Sequence, residues 1–275
     1  MPEGPEVRTV CDKLRPILLT RAITSSVFGT RVESVGSKNL KYPAVIISVR
    51  SYGKKIIIDL NTDQSIIISL GMAGRLQYEK GNHSHVYFDI SDIMKVGSLN
   101  VITPAFTLYY DDHRYMGRVD VIPYEGMELY FRDQGPDLLQ AALKTWIPSN
   151  IWIERFNKFR NRQICIALLE QSAVAGIGWY LATDILYLAK IHPERITSSL
   201  TLEEWEELRI QAHKTIHLSY SYQGCTIESF ISPDGTLGKY PTVVYHKDFD
   251  PLGNSVIKKK MKNGRTAHFV EQIQH

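Results

Sequence analysis

Cysteine is scarce in this 275-residue chain, and the three present, Cys11, Cys165 and Cys225, stand far apart. They form no C-x-x-C pair and no even framework, which excludes a disulfide-stapled secreted scaffold and points to reduced thiols. No apolar run approaches the ~18–20 residues that span a bilayer. No charged-then-apolar leader opens the chain, so the expected location is intracellular, nucleus or cytoplasm according to host, with no membrane partner. Neither sign of charge dominates: 32 Lys and Arg against 29 Asp and Glu leave +3. Any affinity for nucleic acid must therefore come from how charge is distributed, not from its sum. Repeats and low-complexity tracts are also missing. What remains is a folded composition, 44% hydrophobic and 22% charged, long enough for two domains with cores of their own.

Hydrophobic period changes along the chain. Residues 5–15 carry Val7, Val10, Cys11 and Leu14 at helical spacing, with Pro5 in the first turn and Glu6 where the helix dipole favours a carboxylate. Pro16 is expected to end or kink this helix. From about residue 22 to 131, β-branched runs such as "AVIISVRSYGKKIIIDL" alternate with Gly, Asn and Asp breaks, the pattern of a sandwich or barrel. Residues 132–150 read as a linker. "RQICIALLEQ" and "WYLATDILYLAKIHP" read as apolar helices separated by "SAVAGIG". "TLEEWEELRIQAHKTIHLSY" reads as a third helix, opened by a capping box of Thr201 and Glu204. The tail returns to short strands, with "VIKKKM" and "RTAHFV" around Asn263-Gly264, a strong hairpin signal. Residues 239–265 hold seven Lys and Arg against two acids, a local basic patch.

Two stretches carry chemistry. The chain begins "MPEGPEV". If Met1 is removed, Pro2 bears a free secondary amine. An α-amino group titrates near ~7.7–8.0 and is partly uncharged at neutral pH, unlike a lysine near ~10.4. Such an amine can attack a sugar C1′ and form an iminium, with Glu3 beside it in the chain to move protons. The plainer reading is a common Met-Pro start followed by a helix N1 proline. In the second stretch, "QSAVAGIGWYLATDIL", a glycine-rich bend runs into a helix, whose unpaired N–H groups offer a phosphate site. Tight helix packing is the alternative there.

Taken in order, six pieces resemble the formamidopyrimidine-DNA glycosylase and endonuclease VIII family across nearly the whole chain. "PEGPEV" resembles its catalytic N-terminus and "SYGKK" a strand turn bearing a catalytic lysine. "SLGMAGRL" and "DDHRYMG" resemble loops that fill the gap left by a flipped base. "QSAVAGIGWYLATDIL" resembles its helix-two-turn-helix, and "NGRTAHF" a hairpin ending in a catalytic arginine. The resemblance implies an α+β multidomain fold: a two-layer β-sandwich flanked by helices over 1–131, the linker at 132–150, a helix-two-turn-helix domain over 151–238 and a finger hairpin over 239–275. It implies a monomeric bifunctional DNA glycosylase and abasic-site lyase of base excision repair. Its partner would be double-stranded DNA with oxidised bases or abasic sites, with single-stranded DNA as a further substrate. No cofactor is implied.

Carried over residue by residue, Pro2 is the nucleophile, Glu3 the proton shuttle, Lys54 the turn cation with Lys55 next in register, and Arg265 the phosphate clamp. Glu6 either orients the site or serves the helix dipole. Met72 and Arg114 match two gap-filling positions. The third reads Met116 with Tyr115 beside it, so the family's aromatic is displaced or replaced. His85 resembles a DNA-contacting histidine, with a strand-edge histidine as the alternative. Gly176, Gly178 and Trp179 fall on the phosphate-binding bend, where Trp179 stands in place of the usual Asn. Lys258, Lys259 and Lys260 form a general DNA-affinity patch. Bacterial relatives hold the hairpin with four cysteines on zinc. None follows Cys225 here, and His246 with His268 cannot complete a tetrahedral site, so the chain resembles the zincless branch. A short segment before the hairpin favours oxidised pyrimidines and ring-opened or hydantoin purines, with 8-oxoguanine the alternative preference. A non-catalytic damage-binding protein of this fold is the competing class, while an RNA-binding module leaves the N-terminus unexplained. Blocking the N-terminus, by a retained Met or a tag, should abolish borohydride trapping on damaged DNA. Cross-linking by a blocked sample would move the nucleophile to a lysine.

Overall fold

The computed structural model describes residues 2–96, 98–226 and 232–275. The chain forms two units, one of Met1–Pro2, Glu6–Arg132 and Thr226–Gly238, the other of Glu3–Pro5, Asp133–Cys225 and Lys239–His275. The tripeptide Glu3–Pro5 thus groups with the helical part of the molecule. Residues 226–238 group with the strand-rich part, and the stretch read as a linker contributes a helix.

The first unit contains α1 (Gly4–Leu18), β1 (Ala22–Phe28), β2 (Ala44–Tyr52), β3 (Lys55–Leu60), β4 (Gln64–Ser69), β5 (Arg75–Gln77), β6 (Ser84–Val96), β7 (Leu99–Asp111), β8 (Arg118–Pro123) and α2 (Met127–Phe131). The strands follow the order β5-β7-β6-β1-β2-β3-β4-β8. The two four-stranded halves meet at the pairs Ala22↔Val45 and Ile23↔Ala44, and they enclose one core as a β-sandwich. Leu14, Leu18, Ile56, Ile58, Ile66, Ile68, Phe88 and Tyr110 belong to that core. Ile56–Ile58 and Ile66–Ile68 are buried at every position, the continuous apolar run of strands covered on both faces.

Pro16 neither ends nor breaks α1, which runs on to Leu18. Pro16 is exposed and Leu18 fully buried. Burial of Leu18 keeps the last turn in place. The turn from β2 to β3 has two central residues, Gly53 and Lys54, between the paired Tyr52 and Lys55. Gly53 alone of the two has positive φ, +53°, as the first position of a II′ hairpin turn requires. Lys54 is thereby fixed at the tip.

The second unit contains α3 (Leu138–Leu143), α4 (Ser149–Asn157), α5 (Ile164–Ala167), α6 (Trp179–Leu188), α7 (Leu202–Ser221) and the hairpin β9 (Ile257–Lys260) with β10 (Thr266–Phe269). The helix expected over "RQICIALLEQ" is a single turn, α5. Gln171 explains the early stop: its amide donates to Leu169 O (2.8 Å) and Ile177 O (2.9 Å) and accepts from Gly176 N (3.0 Å). That pins residues 171–177 as a loop. α6 is buried from Trp179 through Tyr187, as expected of a central helix apolar all round. The Thr201–Glu204 capping box at the start of α7 is present in both directions.

Asp184 of α6 ties the approach to the hairpin. Its carboxylate, fully buried, accepts from Val243 N (2.9 Å), Val244 N (3.0 Å), Tyr245 N (3.2 Å) and Tyr240 Oη (3.2 Å). Burial pushes its pKa up and the backbone donors pull it down. Tyr187, Val244 and Val270 form a small core there with Leu188, Val243, Val256 and Ile273 against it. Asp184→Ala would strand three N–H groups and a hydroxyl, and should cost roughly 3 kcal/mol or more. A urea midpoint unchanged from wild type would refute that account.

Candidate active site

Glu3 is 3% exposed, and its carboxylate lies on the first turn of α6. It accepts from Gly178 N at 2.7 Å, Tyr180 N at 3.0 Å and Leu181 N at 3.4 Å. The positive end of a helix dipole and unsatisfied N–H groups are what a buried carboxylate needs. These N–H groups at the glycine-rich bend thus hold the chain's own carboxylate. Gly178 has to be glycine, because a Cβ there would overlap the Glu3 carboxyl. Gly176, at φ +109°, accepts from Gly4 N at 2.9 Å. A Cβ on Gly4 would press within 3.2 Å of Gly176. The "PEG" of the N-terminus and the "AGIG" of the bend are therefore two sides of one close backbone contact.

The Trp179 indole N–H donates to Thr266 O at 2.8 Å, so it ties α6 to the hairpin. Arg265 lies over the same ring, 5.6 Å from guanidinium carbon to centroid, within cation–π range. The hairpin turn is also different in kind. Gly264 N donates to Met261 O (2.9 Å), and Met261 N donates to Arg265 O (2.8 Å). Of the Asn-Gly pair only Gly264 has positive φ, +79°. This is a three-residue loop, Lys262-Asn263-Gly264, closed by a glycine in the left-handed region. Arg265 stands at its closing pair.

In the first unit, Met72 lies on the β4–β5 loop and Arg114, Tyr115 and Met116 on the β7–β8 loop. The loops abut: a Cβ on Gly71 (φ +60°) would fall 2.6 Å from the Met116 carbonyl carbon. Asp112 shapes the second loop by accepting from Arg114 N (3.0 Å), Met116 N (2.9 Å) and Gly117 N (2.8 Å). The Tyr115 hydroxyl is bound by Arg31 Nη1 (3.1 Å), His83 Nδ1 (3.2 Å) and His85 Nε2 (3.3 Å). Tyr115 is tied back to the sheet, whereas Met116 is 54% exposed. Arg31, His83 and Asp112 are missed by sequence reading; only Asp112, as the first residue before a turn, left a local signal.

Pro2 and Glu6 belong to the first unit, as does Lys54. Glu6 is fully buried in the first turn of α1, where the helix dipole favours a carboxylate. Lys55 points elsewhere: its Nζ lies 3.3 Å from Ser69 Oγ and 3.4 Å from Tyr130 Oη. Burial pushes its pKa down and Asp120 pulls it up. On β9, Lys258 pairs with Asp248 at 2.6 Å and Lys259 with Glu194, so part of the basic patch is neutralised within the chain. His246 and His268 stack edge to face at 5.0 Å, and burial pushes His268 down to about 4. Among the described residues no group of three or more His, Cys, Asp or Glu could hold a metal.

A strand sandwich and a helix-two-turn-helix unit with a hairpin define a class of DNA glycosylases, and comparison with known proteins agrees. The formamidopyrimidine-DNA glycosylase N-terminal domain matches residues 1–119, and the formamidopyrimidine-DNA glycosylase H2TH domain matches residues 140–230. The chain belongs to the formamidopyrimidine-DNA glycosylase family. It is 29% identical over 297 residues to the formamidopyrimidine-DNA glycosylase of Pediococcus pentosaceus, covering 100% of this chain and 99% of that one. With the enzyme of Carboxydothermus hydrogenoformans it shares 27% over 295 residues, all of both chains. The crystal structure of MutM (Fpg) from Thermus thermophilus matches with a TM-score of 0.85 at 25% identity, covering 99% and 98% of the chains. A Lactococcus lactis Fpg mutant in complex with Fapy-dG-containing DNA matches at 0.83 and 25%, over all of both.

Gly178→Ala should displace the Glu3 carboxylate while leaving the fold intact, and so should lose base excision as fully as Glu3→Gln does. A Gly178→Ala protein with wild-type excision would show that this seat is dispensable.

Proposed function

We propose that the chain removes oxidised bases from double-stranded DNA and then cuts the strand, with Pro2 as nucleophile. The observation that carries this reading is the Glu3 carboxylate held by three N–H groups of α6, one residue from the amine. The Pro2 amine attacks C1′ and loses its proton. The C1′–base bond breaks and the base leaves with the electron pair, taking up a proton. Opening of the sugar places a proton, relayed through Glu3, on O4′ and leaves a C1′ iminium. The cation acidifies C2′. Loss of a C2′ proton expels the 3′ phosphate, and a second elimination expels the 5′ phosphate. Water then hydrolyses the iminium and restores the amine.

Lys54, at the tip of its turn, and Arg265 meet the phosphates beside the lesion, where a guanidinium can bind two oxygens at once. Met72, Arg114 and Met116 occupy the gap left by the extruded nucleotide, whose unstacking costs a few kcal/mol. Lys258, Lys259 and Lys260 add sequence-independent affinity. Glu6 orients the N-terminal turn. Ring-opened and hydantoin purines and oxidised pyrimidines are the proposed lesions; a relative bound to Fapy-dG-containing DNA supports the first. The hairpin belongs to a zincless type, a reading supported by the absence of any cysteine after Cys225. A DNA substrate supports an intracellular location, nucleus or cytoplasm according to host.

Borohydride trapping against a panel of damaged duplexes tests the whole reading, because it reports covalent chemistry and lesion together. Binding without any trapped adduct would favour the non-catalytic damage-binding class. Excision should also survive incubation with a strong zinc chelator, and the purified protein should contain no stoichiometric zinc. Inactivation by the chelator, or one zinc per chain, would remove the zincless reading.

A further inference from the structure

We infer that Trp179 is a positioning residue for Arg265, bracing the hairpin through both its indole N–H and its ring face. The inference rests on the glycosylase reading for the role of Arg265. Three observations converge on this side chain. The N–H donates to the carbonyl of Thr266, the residue next to Arg265. The ring lies under the Arg265 guanidinium. The ring itself is 7% exposed and lines, with Cys165, Ala182, Pro193 and Ala267, a cavity of only about 10 Å³. A space of that size admits about one water, so the ring has no alternative place to go.

The hydrogen bond matters because β10 needs it. Thr266 pairs with Lys260 in a hairpin of four residues per strand, and a two-stranded ribbon is marginal on its own. A donor from α6 fastens the strand at the residue that follows the arginine. The same helix turn holds Glu3 through the backbone N–H groups of Gly178, Tyr180 and Leu181. One turn therefore sets two functional groups: its backbone places Glu3 and its first side chain places Arg265. A side chain spent in this way is withdrawn from direct phosphate contact, and its contribution to DNA binding passes through Arg265.

Two measurements test this on the full-length protein. The first is hydrogen exchange of hairpin amides in Trp179→Phe, which keeps a ring and deletes the donor. Exchange across 257–269 should quicken about tenfold, as loss of one such bond implies, with α7 unchanged. A benzothienylalanine at 179 keeps the two-ring shape without the N–H, and should reproduce the effect if Trp179→Phe proves poorly folded. The second is affinity for a duplex carrying a tetrahydrofuran abasic analogue. Trp179→Phe should weaken it about tenfold, and Arg265→Ala at least as much. The double variant should bind no more weakly than Arg265→Ala alone, since coupled residues are non-additive. Additive losses would mean that Trp179 acts independently of Arg265, and unaltered hairpin exchange would mean that the indole braces nothing; either overturns the inference. Failure of the wild type to bind the analogue would instead count against the glycosylase reading, while the exchange experiment would still decide the bracing.

Discussion

A carboxylate taken out of water must find donors, and in this protein Glu3 finds them on the first turn of α6. Much of the second unit is organised by that requirement. Gly178 lacks a side chain because the carboxyl occupies its Cβ position. Gly176 and Gly4 approach as bare backbone, joined by a hydrogen bond. Gln171 holds the bend open from the other side with three bonds of its own. The N-terminal tripeptide is thus built into the helix-two-turn-helix, so Glu3 has a defined position instead of a fraying terminus.

Two further carboxylates do comparable work. Asp184 gathers three consecutive backbone N–H groups ahead of the hairpin, and Asp112 gathers three in the loop that carries Arg114 and Met116. In each case an acceptor with several lone pairs fixes a loop that has no ladder to fix it. The Tyr115 hydroxyl adds to this, anchored by Arg31, His83 and His85 while its neighbour Met116 projects into solvent.

Where local patterns misled, a long-range interaction outweighed a local preference. Pro16 is a helix breaker by propensity, yet burial of Leu18 and the exposed position of the ring carry α1 past it. "RQICIALLEQ" has helical composition, yet Gln171 spends its amide on the loop. Asn263-Gly264 favours a two-residue turn, yet the chain closes over three residues, with the left-handed glycine alone supplying the positive φ. Two of the three lysines of β9 form ion pairs within the chain, which a count of charge along the sequence cannot reveal.

By itself, the sequence determined the order of a strand-rich half, a helical half and a terminal hairpin. Hydrophobic period and turn chemistry are local, and both were legible in single segments such as "KKIIIDL" and the Thr201–Glu204 capping box. Its motifs also named the family, because six short pieces in one order are legible without any contact between them. Only the tertiary structure decided what the side chains contact. That Glu3 takes the anion seat of α6, that the Trp179 indole serves Thr266, and that Tyr115 is held back while Met116 is free to project are all pairings between residues distant in sequence. No spacing rule encodes them. Each is set by which donors burial leaves unsatisfied, and that is known only once the chain has folded.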